Sequence, residues 1–273
     1  MNTVVVSGGF DNLRSKHVRF LEEAAKWGKV HVGLWSDETI RALEGKPPRF
    51  PERERDYLLR SLRYVREVTL IKGMIEPDAL PDLETLPPGP WIVDEESDTP
   101  GKRAWAGARG IPYHIISRED LDGFPMPPFV SPAFDSARKR VLVTGCFDWF
   151  HSGHVRFFEE ASALGDLFVV VGHDANIKLL KGEGHPLICE RERVYMVRSV
   201  RYVHQAMIST GHGWLDAEPE AALIKPHFYV VNEDGDKPEK KAFCAAKGIE
   251  YVVLKRIPKE GLPERESTVL RGF

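Results

Sequence analysis

The chain has 273 residues, 42% hydrophobic and 29% charged, with a formal net charge of -3. This is the profile of a soluble globular protein long enough for two domains, each with its own core, and it argues against a general affinity for nucleic acid. Three scattered cysteines, Cys146, Cys189 and Cys244, form no metal-type spacing and suit a reducing compartment. No apolar run is long enough to span a bilayer and no basic leader precedes the first strand, so the expected location is the cytoplasm, without membrane insertion.

In chain order, "TVVV" from Thr3 is a short β-branched run closing on glycine, which predicts a buried strand. The segment after His17 has helical spacing and stops near Gly28. "KVHVGL" predicts a second strand, the "ERER…RYV" segment of 52–65 a helix, "PWIVD" a strand, "GKRAWAGARG" a helix ended by glycine and "PYHII" a closing strand. Residues 121–138, rich in Pro and Phe, cannot form a long helix and read as a linker packed across the surface. The same order then returns with "RVLV", a helix after His154 ending at Gly165, "LFVVVG", "ERER…RYV" of 190–203, "HFYVV", "EKKAFCAAKG" and "EYVVL".

The return is a duplication. Asp148 matches Asp11 and Asp174 matches Asp37; after a single one-residue gap, Glu190 matches Glu52 and Tyr251 matches Tyr113. Alternating strand and helix, written twice, predicts two tandem Rossmann-like α/β domains, each with a parallel sheet covered by helices on both faces. The domains are placed at 1–120 and 139–273, with 121–138 between them.

Ligands of open parallel sheets collect at the carboxyl ends of the strands. In the second copy "VLVTGCFDWFHSGHVRFF" puts a glycine turn after a strand and two histidines, His151 and His154, at the opening of the next helix. Unpaired backbone N–H groups there favour phosphate, imidazoles can add donors, and Gly153 leaves the backbone open to close approach.

With this "HSGH" the chain resembles the cytidylyltransferase-like nucleotidyltransferases that carry a His-x-Gly-His signature. The "RYV" at 201–203, the "KG" at 181–182 and the "ERER" run look most like the branch that transfers CMP to phosphorylated alcohols, which includes a tandem ethanolamine-phosphate enzyme. The resemblance implies transfer of CMP from CTP to a small phosphorylated alcohol or polyol, with release of pyrophosphate. Relatives that adenylate sugar phosphates from ATP share the opening motif and keep that alternative open. A non-catalytic nucleotide-binding protein is the third reading.

Catalytic roles are implied for His151, His154 and Lys181, and nucleotide contacts for Thr144, Gly145, Cys146, Phe147, Gly153, Asp174, Arg265, Ser267 and Thr268, the last two at the start of a final helix. Arg193, Trp214 and Asp234 are implied acceptor contacts, Trp214 standing two residues past the aromatic position of choline-type relatives. Surface ion pairing competes for Arg193, ordinary packing for Trp214, and a structural role for Asp174, whose position Asp37 shares. The family's late Arg-Thr-x-Gly-Ile-Ser-Thr is replaced here by "GLPERESTVL". Mg²⁺ is expected to arrive with the nucleotide, since no dense carboxylate cluster is evident and no protein metal site is assigned.

The first copy has lost several of these groups together: Arg14 stands for His151, Lys16 for Gly153, Glu44 for Lys181 and Glu76 for Trp214. Glu44 would repel a triphosphate where Lys181 attracts it. The first copy is therefore read as catalytically silent, and the tandem as a two-fold dimer fused into one chain, an intrachain pseudo-dimer that could itself form a homodimer.

Overall fold

The computed structural model describes residues 2–73, 76–80, 85–128, 130, 137–267 and 269–270. The chain divides into two units, Met1–Gly123 and Phe124–Phe273. In the first unit the order is β1 (Thr3–Gly8), α1 (Ser15–Ala24), β2 (Lys29–Trp35), α2 (Asp37–Glu44), α3 (Glu52–Ser61), β3 (Val65–Ile71), β4 (Trp91–Asp94), α4 (Pro100–Ala108) and β5 (Tyr113–Ile116). All its strands are parallel, in the order β3-β2-β1-β4-β5.

The second unit repeats the plan with β6 (Arg140–Gly145), α5 (Ser152–Ser162), β7 (Asp166–Val171), α6 (Asp174–Lys181), α7 (Glu190–Arg198), β8 (Val203–Ile208), α8 (Glu218–Ile224), β9 (Phe228–Asn232), α9 (Pro238–Lys247) and β10 (Glu250–Leu254). A single 3-10 turn at Gly213–Leu215 precedes α8. The sheet order, β10-β9-β6-β7-β8, is that of the first unit, again parallel throughout. Both sheets therefore have the tandem Rossmann-like form that the alternation predicts.

β-Branched runs fix the central strands. Val141, Leu142 and Val143 of β6 and Val169 and Val171 of β7 are completely buried, as strands covered on both faces must be. Leu142, Phe168, Val170, Tyr229 and Val231 meet Ala217, Ala221 and Ile224 around α8, and Cys244 from α9, in one core cluster. In the first unit Val5, Trp91 and Val93 pack with Ile71, Leu80, Leu86 and Ala106 in the same manner. Among the described residues no helix is long and apolar enough to cross a membrane.

Three sequence expectations need correction. The "RYV" triplets are not helical: α3 and α7 stop at Ser61 and Arg198, and Val65 and Val203 open strands. Both helices end where the chain must turn back to add the outermost strand on that side, a demand that the helical spacing of "ERER" does not carry. The short helices α2 and α6 were also not predicted; each is set by a local cap, Ser36 Oγ accepting from Thr39 N–H at 3.1 Å and His173 Nδ1 from Asn176 N–H at 3.2 Å. Finally, the described residues after β10 form no helix, and Ser267 lies in a turn. From the expected linker, Phe124 packs its ring 5.6 Å from that of Tyr195 on α7, and Val130 exchanges two hydrogen bonds with Gln205 of β8.

Candidate functional site

Strand order in the second unit reverses at β6, which pairs with β7 on one side and β9 on the other. The chain leaves β6 through Gly145 into a turn, with Phe147 in the left-handed region at φ 53°. A Cβ on Gly145 would stand 2.7 Å from the Phe147 ring, so the glycine is what lets that ring fold back. Phe147 then meets His154 edge-on at 5.2 Å and Phe158 at 5.1 Å. The aromatic wall thus built fixes the start of α5.

His151 caps that helix. Its Nδ1 accepts from Gly153 N–H at 3.1 Å, and a Cβ on Gly153 would come within 3.0 Å of the imidazole. Gly153 therefore makes room for the His151 ring itself, whereas the sequence suggested room for a ligand. The His151 and His154 rings stack at 3.9 Å, 22° from parallel. His151 Nε2 and His154 Nδ1 are both buried without a hydrogen-bond partner. Burial holds the His151 pKa down to about 3, aided by the positive charges of Arg256 and Arg265. The His154 pKa is also pushed well below the usual histidine value, by burial first and then by His151, Arg256 and Lys181. Two neutral imidazoles with unused ring nitrogens thus lie under a fringe of cations, an arrangement able to donate to an anion.

The first unit shows what the lost residues changed. Arg14 holds the cap position of α1 and, having no acceptor atom, cannot do what His151 does. His17, the equivalent of His154, is drawn into the cap instead: its Nδ1 accepts from Arg14 N–H at 3.0 Å. Burial and Lys16 lower its pKa to about 4. The retained histidine is thus a structural cap, and the pair that offers free ring nitrogens exists in one unit.

An open cleft of about 410 Å³ lies at the carboxyl ends of the second sheet. It is lined by Thr144, Gly145, Cys146, Phe147, His154, Lys181, Trp214, Asp234 and Ser267 of the sequence-derived set. Lys181 ends α6 at the cleft wall with its side chain in solvent. Ser267 donates to the Trp149 carbonyl at 3.2 Å, tying the C-terminal segment to the histidine turn. Gly153 and Arg265 belong to an adjoining shallow depression, where the Arg265 carbonyl accepts from Arg256. Thr268 falls outside the described residues.

Arg193 and Asp174 are placed otherwise. Arg193 is 1% exposed and its guanidinium donates to the carbonyls of Ile188, Cys146 and Gly172, at 2.8, 2.6 and 2.8 Å, and to Asp174 at 2.6 Å. Four of its five N–H groups are taken by the protein and Nη1 also approaches Cys146 Sγ at 4.0 Å, so a guanidinium this buried is turned to the fold and not to an incoming phosphate. Arg55 makes the same four bonds in the first unit, to Phe50, Gly9, Trp35 and Asp37. A residue that behaves identically in both copies is a clamp of the fold, joining the ends of the two central strands to the helix beyond.

Several cleft residues carry no motif in the sequence. Arg256 follows β10 and pairs with Asp234 at 3.4 Å and Glu266 at 3.7 Å, holding Asp234 at the rim. Asn176 secures the 3-10 turn, accepting from Gly213 N–H at 2.7 Å and donating to its carbonyl at 3.1 Å. Lys237 lies 4.8 Å over the Trp214 ring, and Lys240 enters the cleft from α9. "KR" after the last strand and "DKPEKK" at the start of a helix were the only available signals, and both look like ordinary solvated charge. Lys237 already covers one face of Trp214, and its charge opposes a choline-like cation there.

The cytidylyltransferase-like family description matches residues 142–254. The bifunctional protein HldE of Pelobacter propionicus is 37% identical over 100 residues, 36% of this chain and 20% of that protein. HldE of Aliarcobacter butzleri is 35% identical over 122 residues, 44% of this chain and 24% of that one. The chain thus spans about a quarter or less of the length of these relatives. A solved lipopolysaccharide core biosynthesis protein from Thermoplasma volcanium aligns over its whole length with 45% of this chain, at 23% identity and a TM-score of 0.38, too slight a likeness to bear on function. The histidine turn, the cleft and the strand-order switch all fall within or beside the matched span, so the similarity to the cytidylyltransferase-like family lies in the second unit.

Proposed function

We propose that the second unit catalyses nucleotidyl transfer from a nucleoside triphosphate to a small phosphorylated acceptor. An oxygen of the acceptor phosphate attacks the α-phosphorus in line, the bond from that phosphorus to the bridging oxygen breaks, and pyrophosphate leaves with the electron pair. A phosphate monoester is already nucleophilic near neutral pH, so the protein has to position two anions and stabilise the leaving group. The observation that carries this reading is the stacked His151–His154 pair, buried, neutral and with ring nitrogens unused. His154, which lines the cleft, would donate to phosphate oxygens with the buried His151 ring stacked behind it, while Lys181 and Arg256 offset the charge from the cleft walls. Mg²⁺ would arrive with the nucleotide, bound through the triphosphate's own oxygens.

ATP with a sugar phosphate is the preferred pairing, because the relatives reported above are HldE proteins and not the CMP-transferring enzymes that the motifs suggested. The Lys237 ammonium over Trp214 also disfavours a cationic head group such as choline. Transfer of CMP from CTP is the second reading, supported by the family description itself. The first unit, with its histidine committed to a helix cap, is read as non-catalytic. Pyrophosphate release, measured with each nucleoside triphosphate against sugar phosphates and phosphorylated alcohols, tests the proposal. Release with ATP and a sugar phosphate is expected; release with no combination would overturn it.

A further inference from the structure

Lys240 is 8% exposed on the first turn of α9, yet its ammonium borders the open cleft. Its contacts are weak: Thr144 Oγ1 at 3.4 Å and the face of the Tyr229 ring at 5.8 Å. Thr144 Oγ1 is itself engaged with the Tyr229 hydroxyl at 2.9 Å. No carboxylate lies within ion-pairing range of Lys240 among the described residues, and the neighbouring Asp216 is bonded to Ser209 at 2.7 Å. Burying an ammonium without a close counter-ion is unfavourable, and such groups mark places where a ligand supplies the missing charge. Burial pulls its pKa below the ordinary lysine value; Asp216 opposes that and Lys237 adds to it.

Position separates this cation from the histidine pair. α5 leads from β6 to β7 and α9 from β9 to β10, so the two helices begin on either side of the strand-order switch. His154 and Lys181 belong to the β6–β7 side; Lys240, Lys237 and Asp234 stand on the other, with Trp214 beside Lys237. The first unit retains a lysine at this place, Lys102, but it donates to the Ser97 carbonyl beside it and is only half-buried.

We infer that Lys240 is a specificity-determining residue whose ammonium receives the phosphate of the acceptor, so that the cleft selects anionic sugar phosphates and rejects phosphorylated amino alcohols. This rests on the nucleotidyl-transfer reading above. Two lysines facing the acceptor repel a quaternary or primary ammonium, while a phosphate restores to Lys240 the counter-charge that the fold withholds.

The test uses the full chain with ATP and a panel of sugar phosphates. Lys240→Met is expected to raise the acceptor KM by about 10- to 100-fold, the effect of losing one hydrogen bond to a charged group. The KM for ATP should stay within about twofold, and Lys240→Arg should recover most of the loss. Phosphocholine and phosphoethanolamine should be poor acceptors for the unaltered protein. An unchanged acceptor KM in folded Lys240→Met, a rise confined to the KM for ATP, or phosphocholine turnover equal to that of sugar phosphates would each overturn the inference. If Lys240→Met does not fold, Lys240→Gln takes its place under the same criteria, and should it also fail, the acceptor panel on the unaltered protein decides: turnover of phosphocholine and phosphoethanolamine far below that of sugar phosphates supports the inference, and equal turnover overturns it. If the unaltered protein transfers no nucleotide, the broader reading fails by itself. Lys240 is then judged by thermal stabilisation with inorganic phosphate: smaller stabilisation in the variant than in the unaltered chain supports the anion site, and equal stabilisation refutes it.

Discussion

Replacing Arg193 by methionine separates a clamp from a phosphate ligand. The change keeps much of the buried volume and deletes four hydrogen bonds, three to carbonyls and one to Asp174. Each carbonyl bond is counted at about 1 kcal/mol net, the ordinary worth of a hydrogen bond, and the carboxylate bond at about 1.5 because Asp174 is 41% exposed. Together they give about 4–5 kcal/mol, in line with the cost of removing one partner from a buried charged pair. That is a large part of the roughly 5–15 kcal/mol that holds a domain together. Urea denaturation followed by circular dichroism should show a markedly lower midpoint for the second unit. Arg55→Met should lower that of the first unit by a comparable amount, because the same four bonds recur there. If Arg193→Met kept its midpoint and lost nucleotide binding, the clamp argument would be refuted and the phosphate role restored.

His154→Ala should lower kcat by about 10²–10³ with the fold intact, as expected for loss of one oxyanion donor; steady-state pyrophosphate release measures it. His17→Ala should leave that rate unchanged and lower stability by about 1 kcal/mol, the worth of a helix cap, so a catalytic loss there would refute the division between the units. His151 has its pKa lowered to about 3 in the folded chain, so the unfolded chain takes up the proton first as pH falls below about 6.5. Its contribution is complete at neutral pH and is lost progressively between about pH 6.5 and 3. His151→Asn should therefore diminish the difference in unfolding free energy between pH 7 and pH 5 by about 2 kcal/mol, read from denaturation midpoints at the two pH values. Gly145→Ala would force the Phe147 ring off His154 and should cost about 1–3 kcal/mol together with activity; wild-type behaviour in both would remove the glycine from the design of the turn.

The HSGH turn was legible because its pieces are local: a strand, a glycine, and two histidines three residues apart at a helix start. The reassignment of Arg193 was not legible. Its bonds reach Cys146, 47 positions away, and Gly172, 21 away, and spacing from "RYV" cannot reveal that four of its donors are already committed to the fold. His17 and His154 look equivalent as letters. What separates them is which atom caps the helix three residues earlier, and Arg14 has no acceptor to offer.

The sequence by itself determined the duplication, the parallel α/β plan of each half and the end of the second sheet at which the cleft opens. These follow from periodicity and from residue types that act on their immediate neighbours. Only the tertiary structure decided which charges remain available to a ligand. A side chain's free donors depend on partners brought beside it by strand pairing and helix packing, and that is why buried Arg193 is satisfied while buried Lys240 is not.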